Sequence, residues 1–287
     1  MSAPGRDRAP RVFVLGAGRA GRGLARALLA SGVQVVGLHG RRADAGGAMP
    51  VTAGPLPRTL ASADVVLVAV QDAAIEAALA ELLASARLAR GAVVLHASGS
   101  AEAAEGGAAL RAAGHAFGTF HPLVPLSDAA RAPAMMRGAW VGVDGDPRAR
   151  EASAALAASL GARTLEIPAG AKPRYHAAAV FASNFPVVLA AIAARLMSDA
   201  GVDAEGARGA VECLLALAAA NVAGRDPAAA LTGPVVRGDA VTVRRHLAAL
   251  AGDDEARAAY VALSRAALGM AALDAASAAE LRRTLDA

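Results

Sequence analysis

Lys172 is the only lysine in a chain that holds 29 lysine and arginine residues in total. Arginine keeps its proton inside a protein, whereas a lysine can be tuned by burial until it exchanges one. His176 follows four positions later, on the same face if the segment is helical. Tyr175 stands beside it, and Asn184, one of only two asparagines, lies two further turns along in an apolar run. As an ammonium, Lys172 would polarise a carbonyl and protonate the developing alkoxide. His176 would orient the substrate or relay the proton, and Asn184 and Ser98 would bind substrate oxygens. The plain alternatives are a solvated lysine at a helix start and an asparagine in a helix–helix hydrogen bond.

A second group of residues suits a phosphate. Val12–Leu15 runs into Gly16-Ala17-Gly18-Arg19-Ala20-Gly21, and a helical pattern follows. Gly16 allows a tight turn, Gly18 lets a pyrophosphate approach the backbone, and Gly21 lets the helix pack close to the strand. The free N–H groups and positive end of the helix then hold the phosphates. The context, strand then turn then helix, is what gives this short motif its weight.

The end of the next strand bears on which dinucleotide binds. It reads Gly37-Leu38-His39-Gly40-Arg41-Arg42, with no carboxylate for a ribose 2′-hydroxyl. Arg41 and Arg42 would clamp a 2′-phosphate, so NADP is expected ahead of NAD, with His39 beside it. Further strand ends point at the same crevice: Val70-Gln71-Asp72, His96-Ala97-Ser98-Gly99 and His121-Pro122-Leu123. Val70, Gln71 and His96 are candidates for contact with the cofactor, and Gln71 and Ser98 also for the substrate. His96 reads equally as a helix-capping histidine, and His121 as part of a rigid turn.

These residues need a scaffold. Strand-like runs are expected at 12–16, 33–38, 64–70, 92–96, 115–120, 139–143 and 164–167. Helical runs fall between them at 20–30, 73–86, 101–112 and 148–160. Buried apolar strands alternating with helices predict an α/β fold with a parallel, doubly wound Rossmann sheet. After Pro168 only helical periodicity remains. We therefore expect a cofactor-binding domain over residues 1–168 and an all-helical substrate and dimerisation domain over 169–287.

Composition narrows the classes. Hydrophobic residues make up 55% of the 287 positions, enough for a core. The +4 net charge is scattered, and only 3% of residues are aromatic, so a nucleic-acid surface is not expected. A single cysteine, Cys213, excludes an internal disulfide and suits a reducing cytoplasm. No metal site is expected. The first ten residues lack an apolar core, so no signal peptide is expected. The uncharged stretch 177–194 is expected to be a helix buried in protein rather than a membrane span.

The run from Lys172 through Tyr175, His176, Ser183 and Asn184, with Leu231-Thr232-Gly233-Pro234 and Arg237-Gly238-Asp239, resembles a bacterial family over nearly the whole chain. The His96–Gly99 and His121–Leu123 motifs fit it too. That family pairs a Rossmann domain with a helical domain of unassigned function. It stands near the β-hydroxyacid dehydrogenases, ketopantoate reductases and pyrroline-carboxylate reductases. The resemblance implies an oxidoreductase with a helical C-terminal domain like that of 6-phosphogluconate dehydrogenase, and a homodimer formed through it. Hydroxyacid dehydrogenases of that clan use a lysine and an asparagine four residues on; here the matching pair is Lys172 and His176, so the resemblance implies an oxidoreductase without naming its substrate. The expected function is NADP-dependent hydride transfer to or from a small polar carbonyl or imine compound. The competing class is a non-catalytic NADP-binding regulator or scaffold, in which Lys172 need not face the cofactor pocket.

Overall fold

A computed structural model describes residues 10–102 and 106–287. The chain divides into two compact units between Ser183 and Asn184.

The first unit is built on an eight-stranded sheet: β1 (Val12–Leu15), β2 (Val35–His39), β3 (Val51–Thr52), β4 (Val65–Val68), β5 (Val93–His96), β6 (Ala116–Pro122), β7 (Trp140–Gly145) and β8 (Arg163–Glu166). Their order is β3-β2-β1-β4-β5-β6-β7-β8. The helices around it are α1 (Arg19–Ala30), α2 (Ile75–Ala84), α3 (Ala108–Ala112), α4 (Ala132–Met136) and α5 (Pro147–Ser159), with α6 (Lys172–Asp199) beginning in this unit.

Side chains alternate across each strand, and both faces are covered. Val12, Val14, Leu67 and Leu95 join one buried cluster with Leu24 and Leu28 of α1 and Leu156 of α5. Phe13, Val66, Val68 and Val94 join the other, with Leu79 and Leu82 of α2. Two-sided burial is why these strands read as continuous apolar runs.

The expected strands and helices form, with one correction to the sheet. β6 and β7 pair antiparallel, in the register His121↔Gly142 and Phe120↔Val143. A strand buried on both faces has the same apolar pattern in either direction, so its polarity is not written in its residues. The short edge strand β3 was not expected. The helix expected at 101–112 is shorter; within the described residues it begins at Ala108, and positions 103–105 lie outside them.

The second unit is helical: the rest of α6, then α7 (Ala204–Val222), α8 (Pro227–Ala230), α9 (Ala240–Ala249), α10 (Asp254–Met270) and α11 (Ala275–Asp286). Asp203, Asp226, Asp239, Asp253 and Asp274 each cap a helix start by accepting from a first-turn N–H. Val243, Leu247, Leu268, Leu281 and Leu285 form its buried cluster. Asp239 accepts from Thr242 N at 2.9 Å and Thr242 Oγ1 at 2.6 Å. That carboxylate is thus a helix cap.

The expectation of a protein-buried helix at 177–194 is not met within the single chain. α6 is long and apolar enough to cross a membrane, and none of its most apolar stretch is buried. Phe181, Val187 and Val188 of α6 and Leu214 and Leu217 of α7 are all at least half exposed.

Candidate active site

The phosphate turn has the form its glycines predict. Gly16 sits at φ +112°, and a Cβ there would lie 2.3 Å from Ala69 O. A Cβ on Gly21 would lie 1.7 Å from Gly16 O, so only glycine lets α1 pack this close to the turn. Among the described residues nothing lies within 4 Å of where a Gly18 side chain would be, and Gly18 caps α1 with no side-chain hydrogen bond. No side chain caps the first-turn N–H groups at the positive end of this twelve-residue helix. Ala17 and Ala20 are part-buried, and Arg19 is exposed at the helix start. Arg22 braces the turn by donating to Ala17 O at 3.0 Å, and it pairs with Asp44 at 2.7 Å.

Beyond β2, Arg41 and Arg42 are exposed, while His39 is buried and its Nδ1 lies 2.9 Å from Thr52 Oγ1. The Thr52 hydroxyl is also 3.3 Å from Leu38 O. His39 thus ties β2 to β3 and is a strut of the sheet; of the three residues expected here, only the arginines face outward. At the end of β4, Val70 is part-buried and Gln71 exposed. Asp72 follows and accepts a short hydrogen bond from Ser100 Oγ.

Lys172 is fully buried. Its Nζ donates to Ser98 O at 3.0 Å, Ala101 O at 2.5 Å and Thr119 Oγ1 at 2.9 Å. Its backbone N–H donates to Glu102 Oε1 at 3.1 Å, fastening the start of α6 to the loop after β5. The solvated-lysine alternative is ruled out. So is the picture of a free ammonium, because three N–H donors meet three acceptors. Burial lowers the Lys172 pKa from 10.5 to about 8, with Asp144, Glu102 and Asp72 opposing the shift.

Thr119 connects this lysine to His96. Its Oγ1 accepts from Lys172 and lies 3.2 Å from His96 Nε2. His96 Nδ1 is buried with no partner among the described residues. Burial, and next the Lys172 charge, hold the His96 pKa near 3, so this imidazole is neutral. Ser98 Oγ accepts from Ser100 N at 3.2 Å and Ala101 N at 3.0 Å. The Ser98 hydroxyl, expected to bind substrate, thus shapes the loop that receives the lysine.

A second cluster lies at the carboxyl end of β6. His121 Nδ1 is 2.8 Å from the Tyr175 hydroxyl. The His121 and His176 rings meet edge-on with centroids 5.8 Å apart. Gly99 makes room for both: a Cβ there would sit 2.4 Å from His176 Nδ1 and 2.7 Å from His121 Nε2. The Tyr175 ring passes over β7 at Gly142, where a Cβ would lie 2.2 Å from the hydroxyl. Burial, then His176 and Lys172, bring the His121 pKa down to about 4, and burial raises that of Tyr175 to about 12.

The structure thus gathers Lys172, His96 and Ser98 into one network and sets His176 beside His121 and Tyr175. Asn184 is exposed on α6 and opens the second unit, outside this cluster. Thr119 and Gly142 carried no sequence signal, since each lies within an apolar strand. His121 was visible as the last polar residue of a strand.

Ligands of such sheets bind beyond the carboxyl ends of the strands. β5 and β6 lie two and three places from β1 in the sheet, roughly 10 and 14 Å at normal strand spacing. Both clusters therefore stand on the same edge as the phosphate turn, to one side of it.

Comparisons agree with this layout. Residues 11–98 match the family model described as NADP oxidoreductase, coenzyme F420-dependent, and residues 139–267 match the domain of unknown function DUF2520. No curated protein sequence matches the chain. Among solved structures, a Thermotoga maritima protein is 26% identical with a TM-score of 0.68, over 91% of this chain and 98% of its own. A Bacteroides fragilis protein is 23% identical with a TM-score of 0.69, over the same shares. Pyrroline carboxylate reductase from Plasmodium falciparum, solved with NADP bound, is 13% identical with a TM-score of 0.62, over 96% of this chain and all of its own. The chain therefore joins a Rossmann-like domain of the NADP oxidoreductase type to a helical DUF2520 domain, in a fold shared with the pyrroline-carboxylate reductases.

Proposed function

We propose that the protein is an NADP-dependent oxidoreductase that moves a hydride between nicotinamide and a small polar carbonyl or imine compound. The observation that carries this reading is the open cradle at the β1–α1 turn. Gly16 and Gly21 are sterically obligatory there, while among the described residues nothing occupies the space over Gly18 and the helix start has no side-chain cap. That arrangement fits a pyrophosphate, with α1 N–H groups as donors. Arg41 and Arg42, exposed just after β2, are placed to take a 2′-phosphate in preference to a free ribose. When bound, the nicotinamide supplies the hydride. The chain's own contribution is the row of polar groups at the ends of β4, β5 and β6: Gln71 and the His121–Tyr175–His176 cluster. Lys172 holds the Ser98–Ala101 loop that borders them. We further propose a homodimer, in which the exposed apolar residues of α6 and α7 are covered by a second copy.

Titration with NADPH and NADH, followed by cofactor fluorescence, tests the first step. Saturable binding with preference for NADPH is expected. Absence of binding by either cofactor would overturn the reading. A panel of small keto acids and cyclic imines then tests turnover. A protein that binds NADPH tightly yet oxidises it with no member of a broad panel would instead be a cofactor-binding regulator.

A further inference from the structure

The sole lysine has no hydrogen left for a substrate, because its three donors end on Ser98, Ala101 and Thr119. Some other group must then supply the proton that accompanies hydride transfer. We propose that Tyr175 and His121 form a proton relay to a carbonyl oxygen, and that Lys172 is a positioning residue for the loop beside them. This rests on the proposed oxidoreductase reading and assigns roles within that same site.

The first support is the direction of the 2.8 Å hydrogen bond. An imidazole nitrogen lone pair accepts better than a phenol oxygen, and Nδ1 is the hydroxyl's one hydrogen-bond partner among the described residues. Tyr175 therefore donates to Nδ1, and neutral His121 carries its own proton on Nε2. The second support is Gly99. A Cβ there would lie 2.7 Å from His121 Nε2, so the absence of a side chain is what lets this ring pack on the loop that closes β5. The third is His176, whose buried Nδ1 has no partner among the described residues and borders the same spot at 2.4 Å. Two ring nitrogens thus lie together against Gly99.

The step balances as follows. The carbonyl carbon gains a hydride, with a reduced nicotinamide as co-reactant, and is reduced while the nicotinamide is oxidised. The C–O π pair moves onto oxygen, which takes the proton from Nε2. As that N–H bond breaks, the Tyr175 O–H proton passes to Nδ1, so the imidazole stays neutral throughout. The tyrosinate left behind regains its proton from solvent after the alcohol departs. His121 is kept neutral by its burial and by the neighbouring His176 and Lys172, against the opposing charge of Asp72. A neutral donor of this kind suits a carbonyl oxygen, which needs one hydrogen bond and then one proton. A protonated imine arrives with its proton already in place and has no use for the relay.

The test uses the full chain, uniformly labelled with ¹⁵N-histidine and loaded with NADP⁺. NADPH binding is measured on the same preparation. Long-range ¹H–¹⁵N correlations should show His121 as the neutral Nε2–H tautomer from pH 8 to pH 5. Tyr175→Phe should fold and bind NADPH as before. It should convert His121 to mixed tautomers. An Nδ1–H tautomer in the unmodified protein overturns the relay, as does a His121 signal that ignores Tyr175→Phe. Loss of NADPH binding in the unmodified protein would instead remove the oxidoreductase reading, so the two failures are distinguishable. With any keto acid that oxidises NADPH, Tyr175→Phe should lower kcat ~100-fold or more with little change in NADPH affinity. Full turnover in that variant also overturns it.

Discussion

Lys172 Nζ donates to Thr119 Oγ1 across 2.9 Å, and the same oxygen lies 3.2 Å from His96 Nε2. Removing the ammonium leaves two backbone carbonyls and a hydroxyl buried without their donor. Lys172→Met should destabilise the protein by ~1–3 kcal/mol, the usual cost of buried unsatisfied groups. Lys172→Arg should do no better, because a planar guanidinium cannot address the same three acceptors. Urea unfolding monitored by circular dichroism decides this. A change below ~0.5 kcal/mol in both variants would mean that the network contributes nothing.

Acid should weaken the fold well above the carboxylate range. The His96 pKa is near 3 in the folded protein and about 6.5 in an unfolded chain. Between those values the unfolded state binds the extra proton, so stability is full above pH 6.5 and falls as pH drops toward 3. At pH 5 the loss from His96 is ~2 kcal/mol. His121 acts in the same direction over 6.5 to about 4. Urea midpoints at pH 7.5, 6 and 5 should decline, and His96→Asn should flatten the decline. A level profile in the unmodified protein would contradict a neutral His96.

Two glycines can be tested by adding one methyl group. Gly99→Ala would press on His121 and His176, and Gly142→Ala on the Tyr175 hydroxyl. Each should cost ~1–3 kcal/mol through overpacking. Both should also disturb the His121 tautomer while leaving the NADPH affinity, which depends on the distant turn at Gly16–Gly21, nearly unchanged. Unaltered stability in both variants would show that the rings move aside freely.

Cofactor preference should reside in Arg41 and Arg42. Charge-assisted hydrogen bonds to phosphate contribute ~1.5–3 kcal/mol each. Replacing both by alanine should weaken NADPH binding at least tenfold and leave NADH binding within about threefold. Equal dissociation constants for the two cofactors in the unmodified protein would argue against this assignment.

The apolar face of α6 and α7 predicts association. Val187 is 70% exposed and Leu217 61% exposed in the single chain. An obligate interface typically covers more than ~2,000 Å². Light scattering at micromolar concentration should report a dimer, and Leu217→Asp should shift it toward monomer. A monomer that partitions onto liposomes would point to a bilayer covering that face.

The Rossmann layout was legible because the central strands β1, β4 and β5 are buried on both faces and Gly16 and Gly21 of the turn each have a steric reason to be there. The direction of β7 was not legible, for the same two-sided burial makes a strand's pattern symmetric. The unusual rank of Lys172 was also legible, as a lone lysine among arginines, yet its role was not. A sequence shows that a residue can ionise but not how many acceptors will surround it. Thr119 was hidden because a threonine in an apolar strand looks like any β-branched residue. His121 and Tyr175 lie 54 positions apart, and nothing local announces that pairing.

The acceptors of the Lys172 ammonium stand 53, 71 and 74 positions earlier in the chain. Contacts that distant form only after long segments have been closed, so they come late on the route to the native state. Until β5 and β6 lie side by side, the ammonium has better partners in water than in protein. It can leave water only when the sheet edge is complete. Such a late contact governs how slowly the protein comes apart more than how quickly it assembles. Removing the lysine should therefore shorten the lifetime of the native state while leaving the refolding rate nearly as it was.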